Sequence, residues 1–217
     1  MRVVAILSEK GGAGKTTLAV HLATAAHLDG RGVAILDLDP QGSAFAWAER
    51  RSEPPEAQAI TPVALPAWLD KLREAGAEFV FIDTGRDANN AGYAAAKAAD
   101  LILIPLRPGG FDLLALGRTL DLCRLSNKRP YVVLNAIRPG STRAEADAAE
   151  ALGELDCELA PATIHDRADF RAASVAAKSA QEIDPTSKAA SEIESLYSWL
   201  CRKLDKTTTR QPESARP

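Results

Sequence analysis

Apolar residues fall in short continuous runs along the chain, separated by stretches with helical spacing. Five such runs lie at residues 3–7, 33–36, 79–82, 101–104 and 131–134 and are rich in β-formers. An unbroken run of this length is typical of a strand covered on both faces, because a strand with one wet face alternates apolar and polar residues. The pattern therefore predicts buried strands of a parallel sheet.

Helical spacing fills the intervals between these strands, and Gly30 and Gly32 end the first helix. Strands that alternate with helices indicate βαβ units, so we expect an α/β fold: a mostly parallel, twisted sheet with helices on both faces. Residues 52–66 hold four prolines and predict an irregular surface segment. The predicted helices cover residues 16–28, 44–51, 66–74, 90–98, 112–125, 142–155, 166–178 and 187–204.

The last predicted helix carries an apolar stripe formed by Ile193, Leu196, Leu200 and Leu204. Such a stripe either docks on the sheet or binds a membrane or a partner. Docking is favoured because surface helices normally pack this way, and acidic residues dilute the basic ones on the polar side. Residues 205–217 are polar and predict a disordered tail, which leaves a single domain over residues 1–204.

Composition narrows the function classes. The 217 residues are 46% hydrophobic with a formal net charge of −3, so nucleic acid would have to bind a local basic patch. Three widely spaced cysteines, Cys123, Cys157 and Cys201, argue against a disulfide framework, a zinc site or an iron–sulfur cluster. No apolar stretch approaches the roughly 20 residues of a membrane span, and the first strand opens the chain in place of a signal peptide. We expect a cytoplasmic protein without membrane attachment.

The most informative motif is Ser-Glu-Lys-Gly-Gly-Ala-Gly-Lys-Thr-Thr at residues 8–17, between the first predicted strand and helix. Its glycines let backbone N–H groups approach phosphate oxygens, and the helix directs its positive end at the same point. Lys15 can reach the β- and γ-phosphates, and the Thr16 hydroxyl can ligate Mg²⁺. The alternative is a glycine-rich turn with two solvated lysines. The predicted nucleotide-binding residues here are Gly11, Gly12, Ala13, Gly14, Lys15, Thr16 and Thr17.

The loop departs from the general P-loop pattern at its start, where Glu9 replaces a glycine and a second lysine, Lys10, follows. Lys-Gly-Gly-x-Gly-Lys-Thr-Thr resembles the deviant P-loop of the ParA/MinD family of dimerising ATPases. The resemblance runs from Met1 to about Leu204 and implies a P-loop NTPase fold of the SIMIBI type, with ATP and Mg²⁺ as cofactors. It also implies catalytic roles for Lys15 and for Lys10, which in that family contacts phosphates bound by the partner subunit.

Two carboxylates follow the second strand, at Asp37 and Asp39. Side chains two residues apart on a strand share one side. Beside a P-loop, one can hold a Mg²⁺-bound water and the other can orient the attacking water. The sequence Asp-Leu-Asp-Pro-Gln-Gly resembles the family's switch I, which implies that Asp37 is the metal-side carboxylate and that Asp39 is the catalytic residue positioning the water. The alternative is an Asp-Pro turn at the end of a strand.

The third predicted strand ends at Asp83, which fits the second P-loop carboxylate and completes a metal set with Thr16 and Asp37. In the ParA group one residue and then a proline commonly follow this aspartate, whereas here Gly85 and Arg86 stand. Gly85 still permits the backbone to approach the γ-phosphate. Arg86 either senses that phosphate or is a solvated charge of the switch loop, and the second interpretation is favoured.

The remaining family positions carry weaker signals. Asn135 resembles the asparagine that hydrogen-bonds the adenine edge, although asparagine is also an ordinary turn former. Pro161 and Thr163 resemble the segment whose backbone closes over the adenine. The segment containing Arg107 resembles the family's loop after switch II, which implies packing and dimer contacts.

The resemblance implies a short partition ATPase without an operator-binding domain. Such a protein forms an ATP-dependent homodimer, binds double-stranded DNA of the nucleoid without sequence preference, and positions a plasmid or replicon. A ParB-like or other adaptor protein would stimulate its slow hydrolysis. The candidate DNA contacts, each otherwise a solvated charge, are Arg138, Arg143, Arg167, Arg171, Lys178 and Lys188.

Other functions stay open. The same ATPase could position a carboxysome, a chemoreceptor cluster or a conjugation complex. A MinD-like membrane-bound regulator is disfavoured by the polar tail, and a metal-cluster carrier by the lack of cysteine pairs. A carboxylase-type synthetase on the same fold is a further alternative. A nucleotide-binding module without hydrolysis is disfavoured because Lys15, Thr16, Asp39 and Asp83 are all present.

Overall fold

A sheet of parallel strands forms the centre of the computed structural model, which describes residues 1–86, 90–107, 110–153, 155 and 157–208. The strand order is β3-β2-β4-β1-β5-β6-β7, with β8 paired to β6. Every described pairing is parallel, as the continuous apolar runs predict. The strands are β1 (Arg2–Ile6), β2 (Val33–Asp37), β3 (Glu56–Ala59), β4 (Phe79–Asp83), β5 (Leu101–Leu106), β6 (Tyr131–Ile137), β7 (Glu158–Leu159) and β8 (Ile164–His165).

Helices cover both faces of the sheet. Successive side chains of a strand point to opposite faces, so Val4 and Ile6 of β1 join one core, whereas Val3 and Ala5 join the other. The first core packs against α1, α2 and α9 and the second against α3 to α6. The helices are α1 (Lys15–Leu28), α2 (Ser43–Ala48), α3 (Leu65–Glu74), α4 (Asn90–Ala98), α5 (Gly110–Leu125), α6 (Thr142–Gly153), α7 (Ala168–Val175), α8 (Ala180–Ile183) and α9 (Lys188–Thr208).

The register of the central strands brings the sequence motifs to one edge of the sheet. Ile6 at the end of β1 lies opposite Asp83, and Asp83 lies opposite Asp37 across β4 and β2. Because parallel strands end at the same edge, the loop after β1 and the carboxylates of β2 and β4 converge in one crevice.

Two local predictions were wrong. Residues 52–66 include strand β3, whose Glu56–Ala59 sequence lacks β-branched and aromatic residues and pairs at the sheet edge with β2 alone. The predicted helix at 166–178 is shorter and is followed by the unpredicted α8. The break includes Ala177, at φ 51°, and Ser179 then forms a capping box with Glu182.

The C-terminal helix docks as predicted. Ile193, Leu196 and Leu200 are fully buried, and Leu204 is 2% exposed. Helix α9 continues to Thr208, so the first four residues of the predicted tail are helical, and 209–217 lie outside the described residues. Within the described ranges, no helix combines the length and the apolar composition that crossing a membrane requires.

Candidate nucleotide-binding site

The loop after β1 encloses a cavity of about 280 Å³. Gly14, at φ 99°, stands immediately before α1, and Gly12 also adopts a left-handed conformation at φ 73°. Side chains strain this conformation, whereas glycine accepts it, and the N–H groups at the start of α1 favour an anion there. The cavity is lined by Gly11, Gly12, Gly14, Lys15, Thr16, Thr17, Asp39, Gln41, Ser43, Arg86 and Arg107.

Lys15 is held inside the loop. Its side-chain Nζ donates hydrogen bonds to the carbonyl oxygens of Ser8 at 2.9 Å and Lys10 at 3.3 Å. Burial lowers the pKa of Lys15, and the negative charges of Asp83 and Asp39 oppose that shift. The result is a cation with a fixed position at the mouth of the cavity, which is what binding a triphosphate requires.

Asp83 and Thr16 form the part of the site that suits Mg²⁺. The Thr16 hydroxyl donates a 2.6 Å hydrogen bond to Oδ2 of Asp83, while Oδ1 is buried and has no partner in the part of the chain that the structure describes. Burial raises the pKa of Asp83 to about 7, with the Thr16 hydrogen bond acting against it. A buried carboxylate oxygen without a partner, beside a hydroxyl, matches the oxygen donors that Mg²⁺ prefers.

Asp37 has a structural task besides its predicted metal role. Its Oδ1 accepts the Asp39 backbone N–H at 2.9 Å, and its Oδ2 accepts the N–H groups of Ala44 at 2.9 Å and Phe45 at 3.0 Å. The carboxylate therefore caps the start of α2. The role of Asp37 on the metal side of the site stays a prediction.

Asp39 lines the cavity, as its predicted catalytic role requires. A Cβ atom placed on Gly85 would lie 3.2 Å from Oδ1 of Asp39. The absence of a side chain on Gly85 therefore lets the backbone that follows β4 approach this carboxylate. From the sequence, Gly85 is expected to let the backbone approach the γ-phosphate. In the structure the glycine gives room to Asp39.

Arg86 lines the cavity and is also exposed to solvent, which leaves both interpretations of this residue in place. A Cβ atom placed on Gly11 would lie 2.3 Å from Nε and 2.5 Å from Cζ of Arg86, so the guanidinium rests on the P-loop glycine. The side chain is still exposed on its outer side. Arg107, which the resemblance assigned to packing and dimer contacts, lines the same cavity.

Asn135 contacts the P-loop itself. Its Nδ2 donates a 2.6 Å hydrogen bond to the carbonyl oxygen of Ala13, and a Cβ on Gly14 would lie 2.1 Å from that nitrogen. The residue is 4% exposed. The amide donor is therefore engaged in bracing the loop, and its predicted hydrogen bond to adenine stays a prediction.

We expect Asn135→Asp to destabilise the protein by about 1–3 kcal/mol, because a carboxylate cannot donate to the Ala13 carbonyl and would be buried against it. Thermal unfolding of the nucleotide-free protein measures the loss. Asn127→Asp, in an exposed turn at φ 53°, is the matched control. Unchanged stability together with a lost preference for ATP over GTP would instead support the adenine role.

The two predicted adenine-segment residues separate. Thr163 directly precedes β8, whose Ile164 lies opposite Asn135. The contact of Thr163 with adenine stays a prediction. Pro161 lines a different cavity of about 710 Å³ beside Leu28 and Trp199. Leu28 is the last residue of α1, about 20 Å along the helix from Lys15 at 1.5 Å per residue. Pro161 therefore lines a cavity other than that of the phosphate loop, and its adenine contact stays a prediction.

The candidate DNA residues do not form one patch of unpaired charge. Arg167 donates from Nε to Glu192 at 2.9 Å, and Arg171 donates to Asp166 at 2.6 Å, so both are engaged with carboxylates. Arg138, Lys178 and Lys188 are exposed. The side chain of Arg143 lies outside the described residues.

Three cavity residues were missing from the sequence prediction of the site: Gln41, Ser43 and Arg107. Gln41 belongs to the recognised Asp-Pro-Gln-Gly segment, which offered a signal for it. The segment of Arg107 was recognised only for packing and dimer contacts, and no motif marks Ser43, the first residue of α2.

Comparison with known proteins agrees with this geometry. Residues 4–178 match the family model described as the CobQ/CobB/MinD/ParA nucleotide binding domain. The chain is 34% identical over 213 residues to "Maintenance of carboxysome distribution protein A" of Gloeobacter kilaueensis, with 94% of each chain covered. It is 34% identical over 124 residues to "Protein ParA" of Rhizobium radiobacter, with 56% of each covered.

A solved structure shares the fold. The septum site-determining protein MinD from Pyrococcus horikoshii OT3, complexed with Mg-ADP, matches with a TM-score of 0.76 at 19% identity. The match covers 95% of this chain and 98% of that one. The predicted fold class and the resemblance to ParA and MinD proteins are confirmed.

Proposed function

This chain belongs to the CobQ/CobB/MinD/ParA family of nucleotide-binding domains, and on that premise we propose that it is a ParA-type positioning ATPase that uses ATP and Mg²⁺. The observation that carries the proposal is the assembled P-loop site. Lys15, Thr16 and Asp39 line one cavity, and Thr16 donates a hydrogen bond to the buried Asp83. These are the groups that phosphoryl transfer to water requires.

The proposed reaction is attack of water on the γ-phosphate of ATP, which yields ADP and phosphate. Asp39 orients the water, and Lys15 stabilises the charge that develops on the transferred group. Mg²⁺, held by Thr16 and Asp83, would neutralise charge on the β- and γ-phosphates. We expect slow hydrolysis by the isolated protein, because Asp39 lies on a loop, where its Oδ1 accepts the Gln41 backbone N–H at 3.0 Å and is therefore already engaged.

The proposed cycle couples this site to assembly. Two subunits close face to face on ATP, and Lys10 of each reaches the nucleotide of the other. The closed homodimer binds nucleoid DNA without sequence preference, for which the exposed Arg138, Lys178 and Lys188 are suitable. A ParB-like or other adaptor then stimulates hydrolysis, and the dimer opens and releases the DNA.

The cargo is the part of the proposal with two candidates. Similarity to ParA and to the chromosome-partitioning ATPase Soj of Thermus thermophilus supports a plasmid or replicon. Similarity across 94% of both chains to a carboxysome distribution protein supports a carboxysome-like body instead. Deleting the gene distinguishes them: plasmid loss at division supports the first, and clustering of intact bodies supports the second.

We expect duplex DNA of random sequence to bind in the presence of ATP·Mg²⁺ but not ADP·Mg²⁺, because only the closed dimer joins the basic residues of two subunits. Fluorescence anisotropy at two salt concentrations measures this. Affinity should fall steeply with salt, since each neutralised phosphate releases a counterion.

Lys10→Ala should lose this binding while keeping ATP, because Lys10 acts on the partner's nucleotide. Lys71→Ala, on the exposed side of α3, should behave as the wild type. DNA binding that is independent of nucleotide or insensitive to salt would contradict the proposed cycle.

A further inference from the structure

Arg86 is a cation at the phosphate site that the catalytic scheme above does not use. We propose that Arg86 contacts the γ-phosphate of ATP bound in its own subunit, so that the segment leaving β4 distinguishes ATP from ADP. The proposal rests on the proposed function and adds to it a residue that reads the nucleotide state.

The first support is the position of the Arg86 side chain. The guanidinium rests on Gly11, where any Cβ atom would overlap its Nε and Cζ. Arg86 also lines the cavity together with Lys15 and Thr16. A long, flexible side chain is thus held over the P-loop before nucleotide arrives, which lowers the entropy that it loses on contacting a phosphate.

The second support is the fixed backbone that leads to Arg86. The Thr84 hydroxyl donates a 2.8 Å hydrogen bond to the carbonyl oxygen of Ile6 and is fully enclosed, so the end of β4 is fastened to β1. Gly85 then packs against Asp39. One residue, Gly85, separates this anchor from Arg86, so the backbone that carries the guanidinium is held close to the P-loop.

The third support is charge. Lys15, Arg86 and Arg107 line the cavity, and Asp39 is the carboxylate among its described lining residues. Within the described part of the chain, no carboxylate forms an ion pair with Arg86. Like charges held this close repel, and a polyanion in the cavity relieves that repulsion.

The neighbours of Arg86 indicate which phosphate of the triphosphate it contacts. In a P-loop the backbone N–H groups before and at the start of α1 hold the α- and β-phosphates, and the Lys15 side chain reaches on to the γ-phosphate. Arg86 is at the other end of the loop, on Gly11, and follows the glycine that touches Asp39. Asp39 is the residue assigned to the water that attacks the γ-phosphate, so Arg86 lies on the γ side.

The test is calorimetric titration of the full-length protein with AMP-PNP·Mg²⁺ and with ADP·Mg²⁺. Arg86→Gln should weaken AMP-PNP binding about tenfold, the equivalent of one charge-assisted hydrogen bond, and ADP binding less than about twofold. Arg86→Lys should lie between, because it keeps the charge but loses the planar fork. Arg73→Gln, an exposed arginine of α3 away from the cavity, should match the wild type.

The same titrations in a Lys10→Ala background separate the contact within a subunit from the one across the dimer. The Arg86→Gln effect should persist there. Equal losses for both nucleotides, or no loss for either, would overturn the inference while leaving the ATPase proposal intact. Failure of the wild-type protein to bind either nucleotide would overturn the proposed function, and the role of Arg86 with it.

Discussion

Replacing Lys15 with alanine is expected to remove measurable ATP binding, with a loss of affinity of roughly a hundredfold or more, the equivalent of two charge-assisted hydrogen bonds. The reason is positional, because Lys15 lines the cavity and its Nζ is fixed by the carbonyl oxygens of Ser8 and Lys10. Thermal unfolding measures the effect. Nucleotide at about a hundred times the wild-type Kd stabilises a protein by about 2.7 kcal/mol, and in the variant this increment should fall to about 0.4 kcal/mol or less.

Lys71→Ala serves as the control, since Lys71 lies over the Trp68 ring on the surface of α3. The unfolding temperature without nucleotide checks that Lys15→Ala still folds. A variant that folds and keeps the full nucleotide increment would show that the loop after β1 is not the binding site.

Asp83→Asn is expected to abolish Mg²⁺-dependent nucleotide binding and, at pH 8, to stabilise the nucleotide-free protein. Burial raises the pKa of Asp83 to about 7, whereas an aspartate in the unfolded chain titrates near 3.9. Between about pH 4 and pH 7 the folded protein holds a proton that the unfolded chain has released. The free energy of unfolding therefore falls as pH rises through this window, by an amount on the order of a few kcal/mol.

Unfolding measured from pH 5 to pH 8, with and without Mg²⁺ and ADP, tests this prediction. The asparagine is isosteric and can still accept the Thr16 hydrogen bond, so the fall in stability with rising pH should be smaller in the variant. Burial lowers the pKa of His21 to about 4, so its contribution is lost as pH falls, but His21 is present in both proteins and cancels. Identical pH profiles would contradict the raised pKa.

The parts of the site that could be predicted from sequence are those carried by contiguous residues. In the P-loop and in the two strand-end carboxylate segments, a buried strand is followed directly by a short run of particular residue types. Few functions other than nucleotide binding require that succession. Parallel strands end at one edge, so their placement follows from the pattern once the strands are recognised. The structure accordingly brings Thr16 and Asp83 into contact across 67 positions of the chain.

The features that the sequence did not reveal depend on packing between distant segments. Strand β3 has little intrinsic β-propensity and exists because β2 offers it an open edge. Asn135 lies within β6, which continues to Ile137, and the direction of its amide is decided by the Ala13 carbonyl. Pro161 was assigned to the adenine segment by resemblance. It lies in a loop, where a small change in the path of the backbone brings a residue to another cavity.

The sequence by itself determined the fold class, the phosphate loop and the identity of the groups that serve it, because strand patterns and glycine-rich motifs act through local backbone preferences. Only the tertiary structure decided what those groups touch. It showed that Asp37 caps α2, that Asn135 braces the P-loop and that Arg86 rests on Gly11. Such assignments require distances between segments far apart in the chain, and those distances are set by how the helices and loops pack on the sheet.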